Sequence, residues 1–398
     1  MTAIEALDLN AISPEAAGFD RSALERVNAA LGRLIERQRL PGAVTLIARR
    51  GVAASFEALG WQDPSRGVAM RHDSMFRIFS MTKPVASVAL MRLAEEGRVL
   101  LRDPLAKYIP AFAEVRVGVQ GEEGLQLVAP QRAITLYDLL RHTAGLTYEF
   151  LSPSVVRSRY GEVDLNDRGR DNAQLAEQLA RLPLMHEPGS VWEYSRATDV
   201  IGRVIEVVSG ERLGDHLRRT VLGPLDMHDT GFTVAQPAHD RIAEPFPNDP
   251  DSGKPVQLFD PRVDARLQSA GMGLLSTAAD YGRFLQMLAN GGQLGGVRLL
   301  GRKTVEAMTA DQLGPIPKTP GIMPAGHGFG LGVAVMTALG EHTEPGSIGA
   351  YGWSGGAGTA FFVDPAEQMF ALILTQAPGF FHEVREVFRQ LVYAAIDD

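Results

Sequence analysis

The sequence of 398 residues contains no cysteine. Disulfide bonds, thiol nucleophiles, iron–sulfur clusters and cysteine-ligated zinc are therefore excluded. The chain also has no run of about 18 apolar residues, which is the length that a membrane-spanning helix requires. Its acidic start lacks the apolar segment of a signal peptide. From these absences we expect a cytoplasmic protein with no membrane partner.

Lysine is scarce, because 34 of the 39 basic residues are arginine and only five are lysine. Arginine keeps its proton in proteins, whereas a buried lysine can lose it, so each lysine is a candidate for chemistry. The net charge of −8 argues against a nucleic-acid partner, which requires a basic face. The histidines are scattered and no HExxH or GxGxxG motif occurs, so we expect neither a metal nor a cofactor. The oligomeric state is left open.

The two ends of the chain have the pattern of a sheet flanked by helices. Helical periodicity marks one segment near each end, and short apolar runs bounded by turn residues mark strands beside them. We therefore predict an α/β fold of the mixed α+β kind, with an antiparallel sheet built from both termini. The predicted helices are residues 21–39 and 383–395, and the predicted strands are 42–50, 53–59, 330–336, 358–363 and 369–375.

The middle of the chain has helical patterns separated by long loops rich in proline. Loops of this length usually form functional walls or disordered segments. We predict a sheet domain from residues 1–83 and 290–398, a mainly helical inserted domain from 84–289, and an active site between them. The predicted helices are 85–96, 173–181, 199–209, 212–222 and 278–289, and the proline-rich loops are 237–261 and 314–324.

The first candidate site is the SxxK sequence Ser80-Met81-Thr82-Lys83. Positions i and i+3 share one helix face, so the serine oxygen and the lysine nitrogen can meet. A serine hydroxyl becomes a nucleophile when a neighbouring base removes its proton. Lysine is that base only when neutral, and the apolar flanking residues predict that its pKa falls from about 10.4 by roughly 3 units. Taken by itself, the motif has an alternative interpretation, which is the start of a helix with a lysine on its surface.

Two further candidates lie later in the chain. Tyr194 follows a turn, and a tyrosine there is either a packed side chain or a second proton carrier. The glycine-rich stretch 351–358 precedes an apolar strand. Glycines expose backbone N–H groups that stabilise an oxyanion, although a plain turn before a strand is the alternative.

The same stretch contains a misleading pattern. Gly352-Trp353-Ser354-Gly355-Gly356 fits G-x-S-x-G, the nucleophile elbow of α/β-hydrolases. That elbow joins a strand to a helix and is followed by an acid and a histidine. Here a strand is predicted to follow, so we do not expect Ser354 to be the nucleophile.

In chain order, the SxxK motif at Ser80, the pair Tyr194-Ser195 and the sequence Trp353-x-Gly355 resemble the motifs of the serine β-lactamase and penicillin-binding-protein superfamily. Within it, the chain is similar to the family VIII carboxylesterases, which share the class C β-lactamase fold. Residues 139–146, 222–227 and 269–274 support the likeness, which runs from about residue 20 to residue 395.

The resemblance implies a role for each motif. Ser80 would be the acylated nucleophile, Lys83 the base that activates it, and Tyr194 the partner that shuttles the proton. The backbone N–H groups of Ser80 and Gly356 would form the oxyanion hole. In place of the Lys-Thr-Gly triad of β-lactamases, the substrate would meet Trp353, Ser354 and Gly355.

Two departures from the β-lactamase pattern favour an esterase. Tyr-x-Asn is replaced by Tyr194-Ser195-Arg196, which lacks the amide for a β-lactam side chain, and the triad lysine is replaced by Trp353. An indole suits an uncharged substrate. We therefore expect a serine carboxylesterase that hydrolyses small neutral short-chain esters through an acyl-enzyme, with possible weak β-lactamase activity. The alternatives are a β-lactamase or D-amino-acid peptidase, an acyltransferase with the same acyl-enzyme, and a non-enzymatic binding protein of the same fold.

Overall fold

The structure is a computed structural model that describes residues 6–121 and 124–398. Helices occur along the whole described chain, and the middle of the chain contains most of them. They are α1 (Arg21–Glu36), α2 (Thr82–Glu95), α3 (Leu136–Leu140), α4 (Val155–Gly161), α5 (Asn172–Ala180), α6 (Ala197–Ser209), α7 (Leu213–Leu217), α8 (Ala278–Ala289), α9 (Arg302–Met308) and α10 (Phe381–Tyr393). Among the described residues, no helix combines the length and the apolar character needed to cross a bilayer.

In the part of the chain that the structure describes, the strands form one large antiparallel sheet and three small two-stranded ones. The large sheet has eight strands in the order β10-β11-β12-β13-β14-β1-β2-β3, and the small sheets are β4–β7, β5–β6 and β8–β9. The strands are β1 (Gly42–Arg49), β2 (Val52–Asp63), β3 (Val68–Ala69), β4 (Phe76–Arg77), β5 (Val117–Gly121), β6 (Gly124–Val128), β7 (Leu275–Ser276), β8 (Gln293–Leu294), β9 (Val297–Arg298), β10 (His327–Phe329), β11 (Ala334–Met336), β12 (Tyr351–Ser354), β13 (Ala360–Asp364) and β14 (Met369–Thr375).

The two ends of the chain meet at the centre of the large sheet, where β1 pairs with β14 over seven residues. Both strands are apolar on both faces, because successive side chains point to opposite sides of a sheet and both sides are covered. Ala43 and Ile47 face the core formed with α1 and α10. Val44 and Leu46 face the opposite core, which includes residues of α2 and α8. The sheet is thus a layer between helices.

Helix α2 is buried almost all round. Its residues from Thr82 to Met91, and Leu93, lie in the interior. Pro84 is tolerated in its first turn because the N–H groups there have no helical partner. The helix packs against α6, and its first residues follow directly on a short 3₁₀ turn at Phe79–Met81. The start of α2 therefore lies beside the large sheet, which contacts that turn through β12.

The fold class predicted from the sequence is confirmed, with an antiparallel sheet from both termini between helices. The details differ in places. The helix predicted over 212–222 ends at Leu217 and is followed by a π-helical turn, and the helix predicted from residue 85 begins at Thr82. One hydrophobic cluster includes residues of the sheet and of the middle region. The division into a sheet domain and an inserted helical domain stays a prediction.

Candidate active site

Ser80 lies at a strained point of the backbone. The residue before it, Phe79, has a φ of 46°, which is a left-handed conformation that residues other than glycine seldom adopt. Such strain persists where the surrounding structure enforces it, and it is concentrated at functional sites. Strand β4 pairs with β7 and leads into the turn that carries Ser80. The turn presents the Ser80 side chain at the start of α2.

Lys83 is fully buried directly behind Ser80. Its ammonium group donates to Ser80 Oγ at 3.2 Å, to Tyr148 Oη at 3.1 Å and to the carbonyl oxygen of Gly271 at 2.7 Å. An ammonium group has three protons, and these three acceptors use all of them. The SxxK spacing therefore brings the two side chains together as predicted, although Ser80 lies in the 3₁₀ turn and only Lys83 lies in the α-helix.

The Gly271 carbonyl is held in place from α6. Asp199 accepts hydrogen bonds from Gly271 N at 3.0 Å and from Ser269 Oγ at 2.5 Å. Arg196 Nη1 lies 3.8 Å from the same carboxylate. These buried polar groups fix the loop of residues 269–271, whose Gly271 carbonyl accepts the hydrogen bond from Lys83.

The sequence predicted that apolar surroundings lower the pKa of Lys83, and this direction is wrong. Burial does lower the pKa, but the interactions with the oxygen atoms of Tyr148 and Tyr194 and with the Asp199 carboxylate raise it by more. The pKa of Lys83 therefore lies above its usual range. The reason is that oxygen atoms, and not hydrocarbon groups, surround the nitrogen. Lys83 is accordingly an ammonium ion at neutral pH.

Tyr194 is the second hydroxyl in contact with the serine. Its Oη–H donates to Ser80 Oγ at 2.6 Å, and the ring is buried among other aromatic rings. His142 fixes the segment, since its carbonyl accepts from Glu193 N at 2.9 Å and its Nδ1 lies 3.1 Å from Ser195 Oγ. Burial lowers the pKa of His142 well below its usual range, so this imidazole is neutral. The predicted tyrosine is thus placed for proton exchange with Ser80.

Arg196 does not take over the role of the amide that it replaces in the sequence pattern. It is 2% exposed and donates to Glu149 at 2.6 Å. Its guanidinium carbon lies 5.0 Å from the centre of the Tyr148 ring. The Arg196 side chain therefore packs against the ring of Tyr148.

The glycine-rich stretch approaches the serine from the sheet. Trp353 is on β12, and its ring centre lies 5.3 Å from that of Tyr194. A side chain at Gly355 would place its Cβ only 2.3 Å from the Ile78 carbonyl oxygen, so only glycine fits there. Arg385 donates to the Gly355 carbonyl, and burial lowers the pKa of Arg385 to about 10. Among the described residues, no acceptor pairs with the N–H of Gly356.

One cavity of about 390 Å³ unites most of the predicted residues. Ser80, Tyr194, Trp353, Ser354, Gly355 and Gly356 all line it. Ser354 is the last residue of β12, and the chain continues from it into strand β13 and not into the helix that a G-x-S-x-G nucleophile elbow requires.

Sequence reasoning missed the groups that come from distant segments. Tyr148 and the Gly271 carbonyl contact Lys83 from positions 65 and 188 residues away. Both lie in or beside the stretches that carry the family resemblance, but no spacing rule marks them. Arg385 and Phe150 also line the cavity and had no signal in the sequence.

The chain is similar to known proteins over almost all of its length. The profile of the beta-lactamase family matches residues 27–395. Protein Rv1367c of Mycobacterium tuberculosis is 36% identical over 347 residues, which is 85% of this chain and 86% of that protein. Esterase EstB of Burkholderia gladioli is 33% identical over 407 residues, covering 96% of this chain and 98% of the relative.

A solved structure has a similar fold. EstCE1, described as a hydrolase with promiscuous acyltransferase activity, is 27% identical and has a TM-score of 0.75. The match covers 94% of this chain and 99% of EstCE1.

Proposed function

The chain belongs to the beta-lactamase family of serine hydrolases, and from that membership and the site we propose that it is a carboxylesterase acting on small neutral esters. The resemblance to the family VIII carboxylesterases is confirmed by the relatives. The observation that carries the proposal is the contact of Ser80 Oγ with both Tyr194 Oη and Lys83 Nζ inside one cavity. That cavity is within the size range of sites for small molecules.

In the proposed acylation, Ser80 Oγ forms a bond to the ester carbonyl carbon. As its proton moves to Tyr194 Oη, the phenolic proton of Tyr194, which points at Ser80 Oγ in the resting site, moves to the alcohol oxygen and the carbon–oxygen bond of the ester breaks. The Lys83 ammonium stabilises the negative charge on these oxygen atoms during the transfer. The backbone N–H groups of Ser80 and Gly356 donate to the carbonyl oxygen while it carries negative charge.

Deacylation repeats the same proton path with water. Tyr194 accepts a proton from the attacking water, the acyl–oxygen bond to Ser80 breaks, and the proton returns to Ser80 Oγ. Lys83 keeps its proton throughout and stabilises the negative charge that develops on Tyr194 Oη and Ser80 Oγ during the transfer. This assignment differs from the lysine base that the sequence favoured, because the raised pKa keeps Lys83 protonated and an ammonium nitrogen has no lone pair to accept a proton.

The part of the cavity wall formed by Trp353 supports an uncharged substrate, and Arg385 and Arg389 line other parts of the cavity. Trp353 occupies the position at which the β-lactamase pattern has a lysine. The indole offers apolar area, and its Nε1 is buried without a hydrogen-bond partner among the described residues. An ester without a carboxylate therefore matches this wall.

A burst experiment tests the proposal. Mixing the enzyme with excess p-nitrophenyl butyrate should release one nitrophenol per chain before the steady state if deacylation is the slower step. A chromogenic cephalosporin should react slower by orders of magnitude in kcat/KM. Equal rates for the two substrates would favour the β-lactamase alternative, and no reaction with either would favour the binding protein.

EstCE1 provides a specific reason to test acyl transfer as well. An alcohol can replace water in the second half of the reaction without any change in the residues. Adding methanol to the butyrate assay should form methyl butyrate if the acyl-enzyme of this chain accepts alcohols. Gas chromatography of the products separates the ester from free butyrate.

A further inference from the structure

Two exposed apolar side chains stand at the cavity that contains Ser80. Phe150 is 63% exposed and Ile322 is 36% exposed, and both line this cavity. The ring of Phe150 stacks on Tyr148, with 4.7 Å between the ring centres. Large apolar side chains beside a nucleophile offer contact area to an apolar part of the substrate.

Phe150 and Ile322 each lie on a loop, and in both loops the next residue in the chain packs against a buried cluster. Leu151, next to Phe150, packs against the aromatic cluster that includes Tyr194. Met323, next to Ile322, packs against the same cluster. The two loops therefore rest on the buried cluster that contains Tyr194, and Phe150 and Ile322 line the cavity beside it.

Both loops are tied to one buried carboxylate, that of Glu193. Thr319, on the loop of Ile322, donates to Glu193 Oε2 at 2.5 Å. Arg157 donates to the two carboxylate oxygens at 2.8 and 3.1 Å and also donates to the Ser152 carbonyl, on the loop of Phe150. Glu193 is fully buried and precedes Tyr194 directly.

The carboxylate is ionised in this position. Burial raises its pKa, but hydrogen bonds from His186, Thr147, Thr319 and Arg157 together lower it to about 2. Charge-assisted hydrogen bonds to a buried carboxylate are stronger than neutral ones. The backbone adds further bonds, since Trp192 N donates to the Pro317 carbonyl at 2.8 Å.

We propose that Phe150 and Ile322 determine specificity by binding an apolar chain or ring of the ester, and that Glu193 is the positioning residue that holds their two loops. This inference rests on the proposed esterase function and names its substrate class, a neutral ester with one extended apolar group, which is longer than the short-chain esters that the sequence favoured. The group belongs either to the acyl part or to the alcohol part, and the two arms of the experiment distinguish them.

The first test compares short and long esters in two series. One series is p-nitrophenyl acetate, butyrate and octanoate, and the other is the acetates of ethanol, butanol and octanol. In the wild type, kcat/KM should rise with length in one series. In Phe150→Ala and Ile322→Ala the long-to-short ratio in that series should fall about 10-fold, as expected when an apolar pocket loses contact area.

Leu100→Ala is the matched control, because Leu100 is 49% exposed and is not among the cavity-lining residues of the described chain. Its long-to-short ratio should equal that of the wild type. If esters are hydrolysed but the ratio does not change in Phe150→Ala or Ile322→Ala, the inference is wrong while the proposed function stands. If no ester is hydrolysed by the wild type, the proposed function fails first.

The positioning role of Glu193 is tested through Thr319, since removing a buried charge could unfold the chain. Thr319→Val removes the hydroxyl that donates to Glu193 and keeps the side-chain shape, whereas Thr319→Ser keeps the hydroxyl. We expect Thr319→Val to raise KM for the long ester more than for acetate, and Thr319→Ser to restore the ratio. Equal ratios in the two variants would contradict the role of Glu193.

Discussion

The hydroxyl of Tyr194 provides the sharpest test of the proposed proton path. In Tyr194→Phe the ring keeps its contacts with His142, Tyr148 and Trp353, whose centres lie 5.1, 5.1 and 5.3 Å away. What is lost is the hydroxyl, with its bond of 2.6 Å to Ser80 Oγ and its interaction with Lys83. The substitution therefore separates proton transfer from packing.

The two effects differ widely in size. One lost hydrogen bond between neutral groups costs about 1 kcal/mol of stability, so the melting temperature should fall by only a few degrees. Loss of a positioned acid–base group costs about 10²- to 10⁴-fold in rate. We expect kcat/KM for p-nitrophenyl butyrate to fall by that factor in a folded protein.

Tyr148→Phe is the matched control for this prediction. Tyr148 is also a buried tyrosine with a hydroxyl in contact with Lys83, at 3.1 Å, but the described contacts show no bond from it to Ser80. Lys83 retains Ser80 and Gly271 as acceptors when this hydroxyl is removed. We expect a loss of less than about 10-fold, well below the range for an acid–base group.

Both variants are compared by initial rates and by the amplitude of the burst, with circular dichroism to verify folding. The reasoning is refuted if Tyr194→Phe retains more than a tenth of the wild-type rate. It is also refuted if Tyr148→Phe is as slow as Tyr194→Phe, since the serine proton would then have another route.

Three more predictions follow from single positions. Gly355→Ala should lower kcat/KM in the butyrate assay by about 10²-fold, which is the cost of misplacing reacting groups, because the new Cβ would clash with the Ile78 carbonyl oxygen near Ser80. Gly356→Ala is its control, since the space around that Cβ is open, and it should change kcat/KM by only a few fold. Trp353→Lys should raise the ratio of cephalosporin to butyrate hydrolysis by about 10-fold or more, since a charge-assisted bond to a carboxylate contributes about 1.5–3 kcal/mol. The pKa of Glu193 is lowered from 4.5 to about 2 in the folded state, so its stabilisation is present above pH 4.5 and is lost as pH falls toward 2. The unfolding free energy from urea titrations should therefore fall over that range by up to about 3 kcal/mol more in the wild type than in Glu193→Gln, since other carboxylates with a lowered pKa, such as Asp103, lose stabilisation in both proteins.

The parts of the fold that follow from local patterns could be predicted from the sequence. Strands β1 and β14 are continuous apolar runs between turn residues, and both were expected within one or two residues. Strand β12 was not, because Gly352 and the glycines after it are typical of a loop. It forms nevertheless, since β11 and β13 on either side supply its hydrogen bonds.

The same division holds for the site. The spacing of Ser80 and Lys83 predicts their contact because helical geometry links positions three apart. The charge state of Lys83 depends instead on Tyr148 and the Gly271 carbonyl, which only the tertiary fold brings to it. Apolar neighbours in the sequence therefore gave a misleading expectation about its pKa.

The central claim is that Ser80 is the nucleophile, and labelling with a fluorophosphonate tests it most directly. One phosphonyl group per chain should appear in the intact mass, and peptide mapping should place it on Ser80. The adduct should be absent in Ser80→Ala and present in Ser354→Ala, although Ser354 lines the same cavity. An adduct on Ser354, or one that persists in Ser80→Ala, would contradict the account.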